Sequence, residues 1–423
     1  MRIRSKILLR AVVFCLIVCL GILYLTKVFF ADAETYQEVR GFYSEPENSL
    51  DVLFVGASSC VRAVSPIKMW EEYGFTSYSL ATTLQPPVYA YEILKNALKR
   101  QQPKVVVLFC DGLWQDYDYT REGQFRGAVD GMRLSWEKWE TVNYICARDK
   151  NQSRISYWVP FFRYHDRWDE LEKEDFEVSF APVHSYRKGQ RPLFAISETP
   201  VEERPEKEGP LPEYCEESLE FFQKAVDLCK ERNIDVVIVK GYKQTGWNML
   251  YSKSLEQFAA QNGCPCLDYN YGDFAKELDI EYPWDYCDTG HLNYYGALKF
   301  SEHLGGYLKE HYDLPDDHDL QICQQWNEDR DMYYVQNLRA DIVLEDHEIG
   351  CYINGLDDVE GLNLTYQFYL YRNGRYVEKS APLSEGDYTF EITESGTYRV
   401  RVYVYAGEEK LNRFTTSLLE VEL

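Results

Sequence analysis

Apolar positions fall along this chain in three regimes. The first is a single long run. Arg2, Arg4, Lys6 and Arg10 precede apolar residues from Ala11 to Leu25, and Lys27 separates these from Val28-Phe29-Phe30-Ala31. A lysine near the end of such a run can snorkel, so the stretch is long enough to span a bilayer. Basic residues ahead of the run place the N-terminus in the cytoplasm and everything after it outside. A cleaved signal peptide is the competing reading, with Ala31-Asp32-Ala33 as its A-x-A site. The length of the run favours an uncleaved, single-pass transmembrane helix within residues 1–33. Both readings export the remaining chain.

From about residue 48 strand and helix patterns alternate. Asp51–Val55 is a short apolar strand, and Ser65-Pro66 opens a helix with a serine N-cap and a proline in the first turn. Val88, Tyr91, Leu94 and Leu98 recur at helical spacing within Val88–Arg100. Val105–Cys110 is a continuous apolar strand, and Ile234–Val239 another, broken only by Asp235. Such runs predict burial on both faces. Glu217–Arg232 and Leu255–Gln261 read as helices, Cys266–Asp268 as a strand end, and Asn293–Lys309 as a closing helix. Strands separated by helices predict a parallel sheet covered on both sides, an α/β domain over residues 34–313. Residues 112–215 interrupt the rhythm and are rich in Tyr, Trp, Arg and acids. A stretch this long inside a domain is functional or has its own helices, and we read it as a helical cap over the site.

The third regime begins near residue 336. Ile349–Ile353, Leu364–Tyr371, Gly386–Ile392 and Gly396–Tyr405 alternate apolar and polar residues, with Asn373-Gly374 as a turn. Tyr398, Val400, Val402 and Val404 face one way, and Arg399, Arg401, Tyr403 and Tyr405 the other. This pattern predicts a C-terminal antiparallel β-sandwich of immunoglobulin-like type over residues 336–423. Asp316-Asp317 and Asp329–Asp331 mark residues 314–335 as a linker.

The 423 residues allow two or three domains, and the formal net charge of -24 excludes a nucleic-acid binder, which needs a basic face. The 12 cysteines form no CxxC pair, which argues against a four-cysteine zinc site. Cys60 and Cys110, at strand ends in apolar context, read as buried free thiols.

Candidate chemistry sits at the two ends of the α/β domain. Ser58 follows the first strand in Gly56-Ala57-Ser58-Ser59, and Asp288-Thr289-Gly290-His291-Leu292-Asn293 precedes the last helix. A serine needs a base to remove its proton, a turn that exposes it, and N–H groups aimed at the oxyanion. A carboxylate three residues before a histidine can fix its tautomer. Asp285, Cys287, Asp288 and His291 are also a metal-ligand set, but no second cluster completes it, and neither a metal nor a cofactor is expected.

Gly-x-Ser after the first strand, Pro66 downstream and Asp-x-x-His before the last helix resemble the SGNH/GDSL hydrolase superfamily over roughly residues 48–312. The order differs from that of an α/β-hydrolase, and Cys60 stands where a nucleophile elbow has glycine. More narrowly, the chain resembles membrane-anchored, extracytoplasmic SGNH-like proteins of bacterial surface-polysaccharide loci, which share a stretch similar to Tyr164-His165-Asp166-Arg167-Trp168. The resemblance implies an SGNH-like three-layer α/β/α domain, with Ser58 as nucleophile, Ser59 competing for that role, His291 as base and Asp288 as its orienter. Ala81, in Ser79-Leu80-Ala81-Thr82-Thr83, takes the place of the oxyanion-hole glycine and still donates through its backbone. Asp111, in Cys110-Asp111-Gly112, stands where the family has an asparagine, and Gln85 is a substitute donor. Asn293 joins this oxyanion and substrate-binding set. His165 either binds substrate or packs against Arg167 and Trp168.

The resulting expectation is an exported serine esterase or O-acyltransferase acting on O-acyl groups, acetyl above all, of a cell-surface glycan. The resemblance adds a membrane-bound O-acyltransferase as partner. The alternative is an inactive SGNH-like glycan-binding or scaffold protein.

Overall fold

Four of the five strands of the central sheet are the short apolar runs between helices. We describe a computed structural model covering residues 2–30, 34–178, 180–199 and 208–423. It comprises two units, Met1–His318 and Asp319–Leu423. In the first unit, β1 (Val52–Val55), β2 (Ser77–Ser79), β3 (Val105–Phe109), β4 (Asp235–Lys240) and β5 (Cys266–Asp268) pair in the order β2-β1-β3-β4-β5. Every pairing is parallel, with Val52 opposite both Ser77 and Val105. Parallel neighbours require crossovers, and helices supply them.

Helix α1 is Arg2–Phe29, α2 Glu34–Gly41, α3 Ser58–Ala63, α4 Pro66–Tyr73 and α5 Pro87–Ala97. Ser65 caps α4, its Oγ accepting from the Lys68 N–H at 3.3 Å, with Pro66 in the first turn. Within the insertion lie α6 (Glu122–Gly131), α7 (Trp136–Arg148), α8 (Arg154–Trp158) and α9 (Phe161–Tyr164). Helices α10 (Glu216–Glu231), α11 (Met249–Asn262), α12 (Phe274–Glu277) and α13 (Tyr294–His311) complete the unit.

Alternation along the strands divides the core into two layers. Val52, Phe54, Val105, Val107, Val237 and Val239 pack with Met69 of α4 and Phe300, Leu304 and Leu308 of α13. On the other face, Val55 and Leu108 meet Ala90 and Tyr91 of α5 and Phe221 and Phe222 of α10. Burial on both faces is why these strands read as unbroken apolar runs. Burying each Val or Leu contributes about 1.5–3 kcal/mol, enough for the sheet to dominate the fold of this unit.

Lys6–Phe29 is long and apolar enough to cross a membrane, a test that a signal sequence also passes. The alternative cleavage site Ala31-Asp32-Ala33 lies outside the described residues.

The insertion departs from expectation. Among its described residues, only the first stretch, from Gly112 to Arg121, borders the strand edge that holds Ser58. Its helices pack elsewhere: α6 on α2, α7 on α5 and α9 on α1. Among the described residues, these helices do not line the cleft at Ser58.

The second unit begins with α14 (Leu320–Asn337), where the charge runs had predicted a linker. Trp326, Asp329 and Tyr333 fall on one face at helical spacing and are all buried, so the acids hide an amphipathic pattern. Two antiparallel sheets follow, built from β8 (Arg339–Glu345), β9 (Glu348–Asn354), β10 (Leu364–Arg372), β11 (Arg375–Lys379), β12 (Asp387–Glu391), β13 (Gly396–Ala406), β14 (Glu409–Thr415) and β15 (Leu419–Val421). One has the order β11-β10-β13-β14 with β15 on β13, the other β12-β9-β8. Phe368 of the first stacks on Tyr388 of the second at 5.9 Å. Tyr398, Val400, Val402 and Val404 are all buried. The turn residues Asn373 and Gly374 both have positive φ, 49° and 76°, as a tight hairpin of this hand requires.

Candidate active site

Strand β1 ends at Val55, and the chain turns through Gly56-Ala57 into α3, whose first residue is Ser58. Gly56 is required by close approach. A Cβ there would lie 2.6 Å from that of Phe109 and 3.0 Å from that of Cys60. The turn thus presses against β3 and lifts Ser58 onto the C-terminal edge of the sheet, where open α/β sheets bind ligands.

The partners come from a small hairpin. Strands β6 (Tyr286–Asp288) and β7 (His291–Leu292) pair antiparallel with Asp288 opposite His291. Thr289-Gly290 closes the turn, and the Gly290 N–H donates to Asp288 Oδ1 at 2.6 Å. His291 Nδ1 lies 2.9 Å from each Asp288 carboxylate oxygen, and its Nε2 lies 2.7 Å from Ser58 Oγ. A carboxylate can only accept, so it selects the Nδ1–H tautomer and leaves Nε2 to accept from the serine hydroxyl. Desolvation raises the Asp288 pKa, but the hydrogen bond from His291 and the Gly290 N–H outweigh it and hold the carboxyl below its ordinary value.

Ser58 and His291 line a cleft of about 540 Å³ bordered by Ala57, Gln85, Asp111, Tyr117, Arg121 and Lys243. A second polar chain crosses its floor. Ser59 Oγ donates to Asp111 Oδ2, and Lys240 Nζ donates to Asp111 Oδ1. Lys240 is 2% exposed and Asp111 20%. Desolvation disfavours both charges, but each stabilises the other: the Asp111 pKa is lowered and that of Lys240 raised. Burial and neighbouring Lys240 push the Lys243 ammonium below its ordinary value.

The structure thus brings Ser58, Asp288 and His291 together and places Gln85 and Asp111 on the cleft wall. Gln85 spends a donor on its own loop, Nε2 to the Leu80 carbonyl at 2.9 Å. Asp111, as a paired carboxylate, has no proton to offer an oxyanion. Ala81 is buried rather than on the wall, clamped between Leu80 N–H to Phe54 O and Thr82 N–H to Gly56 O. Ser59, the rival nucleophile, points its hydroxyl at Asp111 and not at the histidine.

Two expected binding residues are elsewhere. Asn293 is fully buried and is the N-cap of α13: its Oδ1 accepts from the N–H groups of Tyr295 and Gly296 at 3.1 Å, and its Nδ2 donates to the Trp284 carbonyl at 2.6 Å. A capping asparagine and a ligand-binding one look alike in sequence. His165 follows α9, in the part of the insertion packed on α1, with its ring 6.0 Å from that of Phe161. It does not border the cleft.

Lys240 and Lys243 had not been singled out. Their signal was present: Lys240 ends an apolar strand at the ligand-binding edge, where a buried charge needs a partner. Cys287, Asp288 and His291 place ligand atoms within 4.8 Å of one another. Asp288 and His291 already bond each other, and Asp285 turns away to Lys299 at 2.8 Å, so this set suits a proton relay better than a cation.

No family model matches the chain, and no curated protein does. Among solved structures, a Bacteroides fragilis protein provisionally described as an acylhydrolase is similar at 12% identity. That match covers 63% of this chain and 89% of that one, with a TM-score of 0.30. Domains d3–d4 of the rat CD45 extracellular region match at 17% identity over 20% of this chain, with a TM-score of 0.17. The chain spans 47% of the length of that CD45 region.

Proposed function

We propose that the chain is a membrane-anchored serine acyl hydrolase or acyltransferase of SGNH type, acting on O-acyl esters of a cell-surface glycan. The observation that carries the reading is the relay itself: Ser58 Oγ at 2.7 Å from a histidine nitrogen whose other nitrogen is held by a carboxylate. Ser58 Oγ attacks the ester carbonyl while His291 Nε2 takes its proton. The tetrahedral intermediate collapses as His291 returns that proton to the leaving alcohol, leaving the acyl group on Ser58. Water, or a sugar hydroxyl, then gives its proton to His291 as it attacks the acyl carbon; the bond from that carbon to Ser58 Oγ breaks, and His291 returns the proton to Ser58 Oγ. With Asp111 unable to donate, the oxyanion depends on main-chain N–H groups around the β1–α3 turn. The polar side chains of the cleft, with Tyr117 as a stacking surface, suit a sugar, and export suits a surface polymer.

A fluorophosphonate probe applied to the full chain in detergent tests the reading. Covalent labelling at Ser58 is the expected result, and a folded protein that stays unlabelled would count against an activated serine. Asp288→Asn should slow labelling by up to about 10⁴-fold without unfolding the protein, because the imidazole loses the partner that fixes its tautomer. An unchanged rate would remove Asp288 from the relay.

One observation favours a second reading, glycan binding without turnover: the carboxylate and buried lysine at Asp111 and Lys240, where the resembled family has a neutral donor. Glycan binding to unlabelled protein that Ser58→Ala does not alter would establish it.

A further inference from the structure

The segment Tyr164–Trp168, singled out by resemblance and left idle by the catalytic reading, has a place in the fold. It grips the end of α1. Phe161, just before it, meets Phe29 edge-on at 5.5 Å, and the Tyr164 ring lies 5.0 Å from that of Phe30. Arg167 Nη1 donates to the Phe29 carbonyl at 2.9 Å. The last carbonyls of a helix lack intrahelical donors and carry the negative end of its dipole, so Arg167 caps α1 with a cation. Tyr164 Oη in turn donates to Asp130 at 3.0 Å, and Asp130 is paired with buried Arg126 at 2.7 Å. The grip is therefore rooted in α6.

Around it, large aromatic side chains face outward. Trp168 is 71% exposed, Phe180 67%, Phe176 52% and Phe162 48%. Exposed apolar residues scattered singly need no explanation, but a cluster marks an interaction surface. Its position identifies the partner. Phe162, Trp168 and Phe176 belong to short helical segments that touch α1, and Phe180 lies against Lys27, whose Nζ is 6.0 Å from its ring centroid. This is the level at which a spanning helix leaves the hydrocarbon, and where tryptophan and other aromatic rings collect. The neighbouring charges select the lipid. Glu170, Glu172, Asp175 and Glu177 line the hollow beside the end of α1 with Lys27 and Arg167; Arg167 pairs with Glu170 and Asp175, and the acids remain in excess over the bases, which disfavours anionic headgroups. Attachment must come from apolar insertion into a neutral interface.

We propose that Phe161–Val178, together with Phe180, is a membrane seat: Trp168 and its aromatic neighbours dip into the outer interfacial layer of the bilayer, and Arg167 locks that surface to α1. The proposal rests on α1 being retained as a span. It is independent of whether Ser58 is reactive.

The test uses the full chain in phosphatidylcholine nanodiscs, with acyl chains brominated either near the headgroup or near the chain end. Trp168 is one of nine tryptophans, so the wild type should lose up to about a ninth more of its emission than Trp168→Phe does. The loss should be larger with the shallow bromine, unaffected by salt, and no greater when phosphatidylglycerol is added. Equal quenching of both proteins, or quenching that needs phosphatidylglycerol, would overturn the seat. Arg167→Ala should speed amide exchange across residues 161–176 by about tenfold or more while β3 stays protected. Unchanged exchange would overturn the lock. An intact mass showing the membrane-bound chain to lack α1 would overturn the whole proposal.

Discussion

Full-length protein carrying Ser58→Ala or His291→Ala is expected to lose essentially all fluorophosphonate labelling and all turnover of an acetyl ester. The two hydroxyls at positions 58 and 59 are neighbours, yet only one has a base. Ser58 Oγ lies 2.7 Å from His291 Nε2, whereas Ser59 donates to the Asp111 carboxylate. Where nucleophile, base and orienter act as a unit, removing either of the first two costs on the order of 10⁶ in kcat. Neither substitution should unfold the protein, since Ser58 and His291 are only partly buried. Ser59→Ala should still label. Labelling that survives Ser58→Ala and disappears in Ser59→Ala would reassign the nucleophile. Equal labelling in all three would mean that no serine here is activated.

The second large effect is on stability. Lys240→Met should lower unfolding stability by about 3–5 kcal/mol, because it leaves the Asp111 carboxylate charged and unpaired on the cleft floor. Asp111→Asn should cost less, since an uncompensated lysine can release its proton. The double variant Asp111→Asn/Lys240→Met should recover most of the loss, because it removes both charges together. The pH window follows from the directions of the two shifts. Asp111 titrates below its ordinary value, so its contribution is present above the unfolded carboxylate pKa of about 3.9 and is lost as pH falls through the lower folded value. Lys240 titrates above its ordinary value, so its contribution is present below the unfolded pKa of about 10.4 and is lost as pH rises through the higher folded value. The pair's contribution to wild-type stability should therefore stay flat from about pH 4 to pH 10, whereas the Lys240→Met penalty should shrink towards the acid end as its unpaired Asp111 takes up a proton. Urea midpoints of the full chain in detergent, read across that range, check it. A Lys240→Met penalty below about 1 kcal/mol would mean that water, not Lys240, satisfies Asp111.

What could be read from the chain depended on whether the causes were local. Val105–Cys110 and Ile234–Val239 announce a doubly covered sheet because burial on both faces leaves no polar position. Strand β2, Ser77-Tyr78-Ser79, carries no such signal: its serines are buried by the parallel register with β1, which is a tertiary fact. Helix α14 was hidden because its inward face is Trp, Asp and Tyr, so periodicity was masked by charge. In the site, Asp288 and His291 are three residues apart on one hairpin, and their pairing is short-range chemistry. That His165 belongs to the end of α1, and that Asp111 is neutralised by Lys240, depends on elements far apart in the chain. The contrast between Asn293 as cap and as ligand is a matter of which way one amide points.

The relay joins residues 233 positions apart, and the base belongs to the last hairpin before the closing helix of its unit. A chain made from its N-terminus therefore exposes the serine long before the histidine exists. Until residue 291 has emerged and β7 has docked on α3, Ser58 is an ordinary hydroxyl. On the proposed function, reactivity would be switched on by completion of the fold, and a growing or truncated chain would be chemically silent towards its surroundings. Asp319–Leu423 lies beyond that point and is not needed to supply any of the three groups.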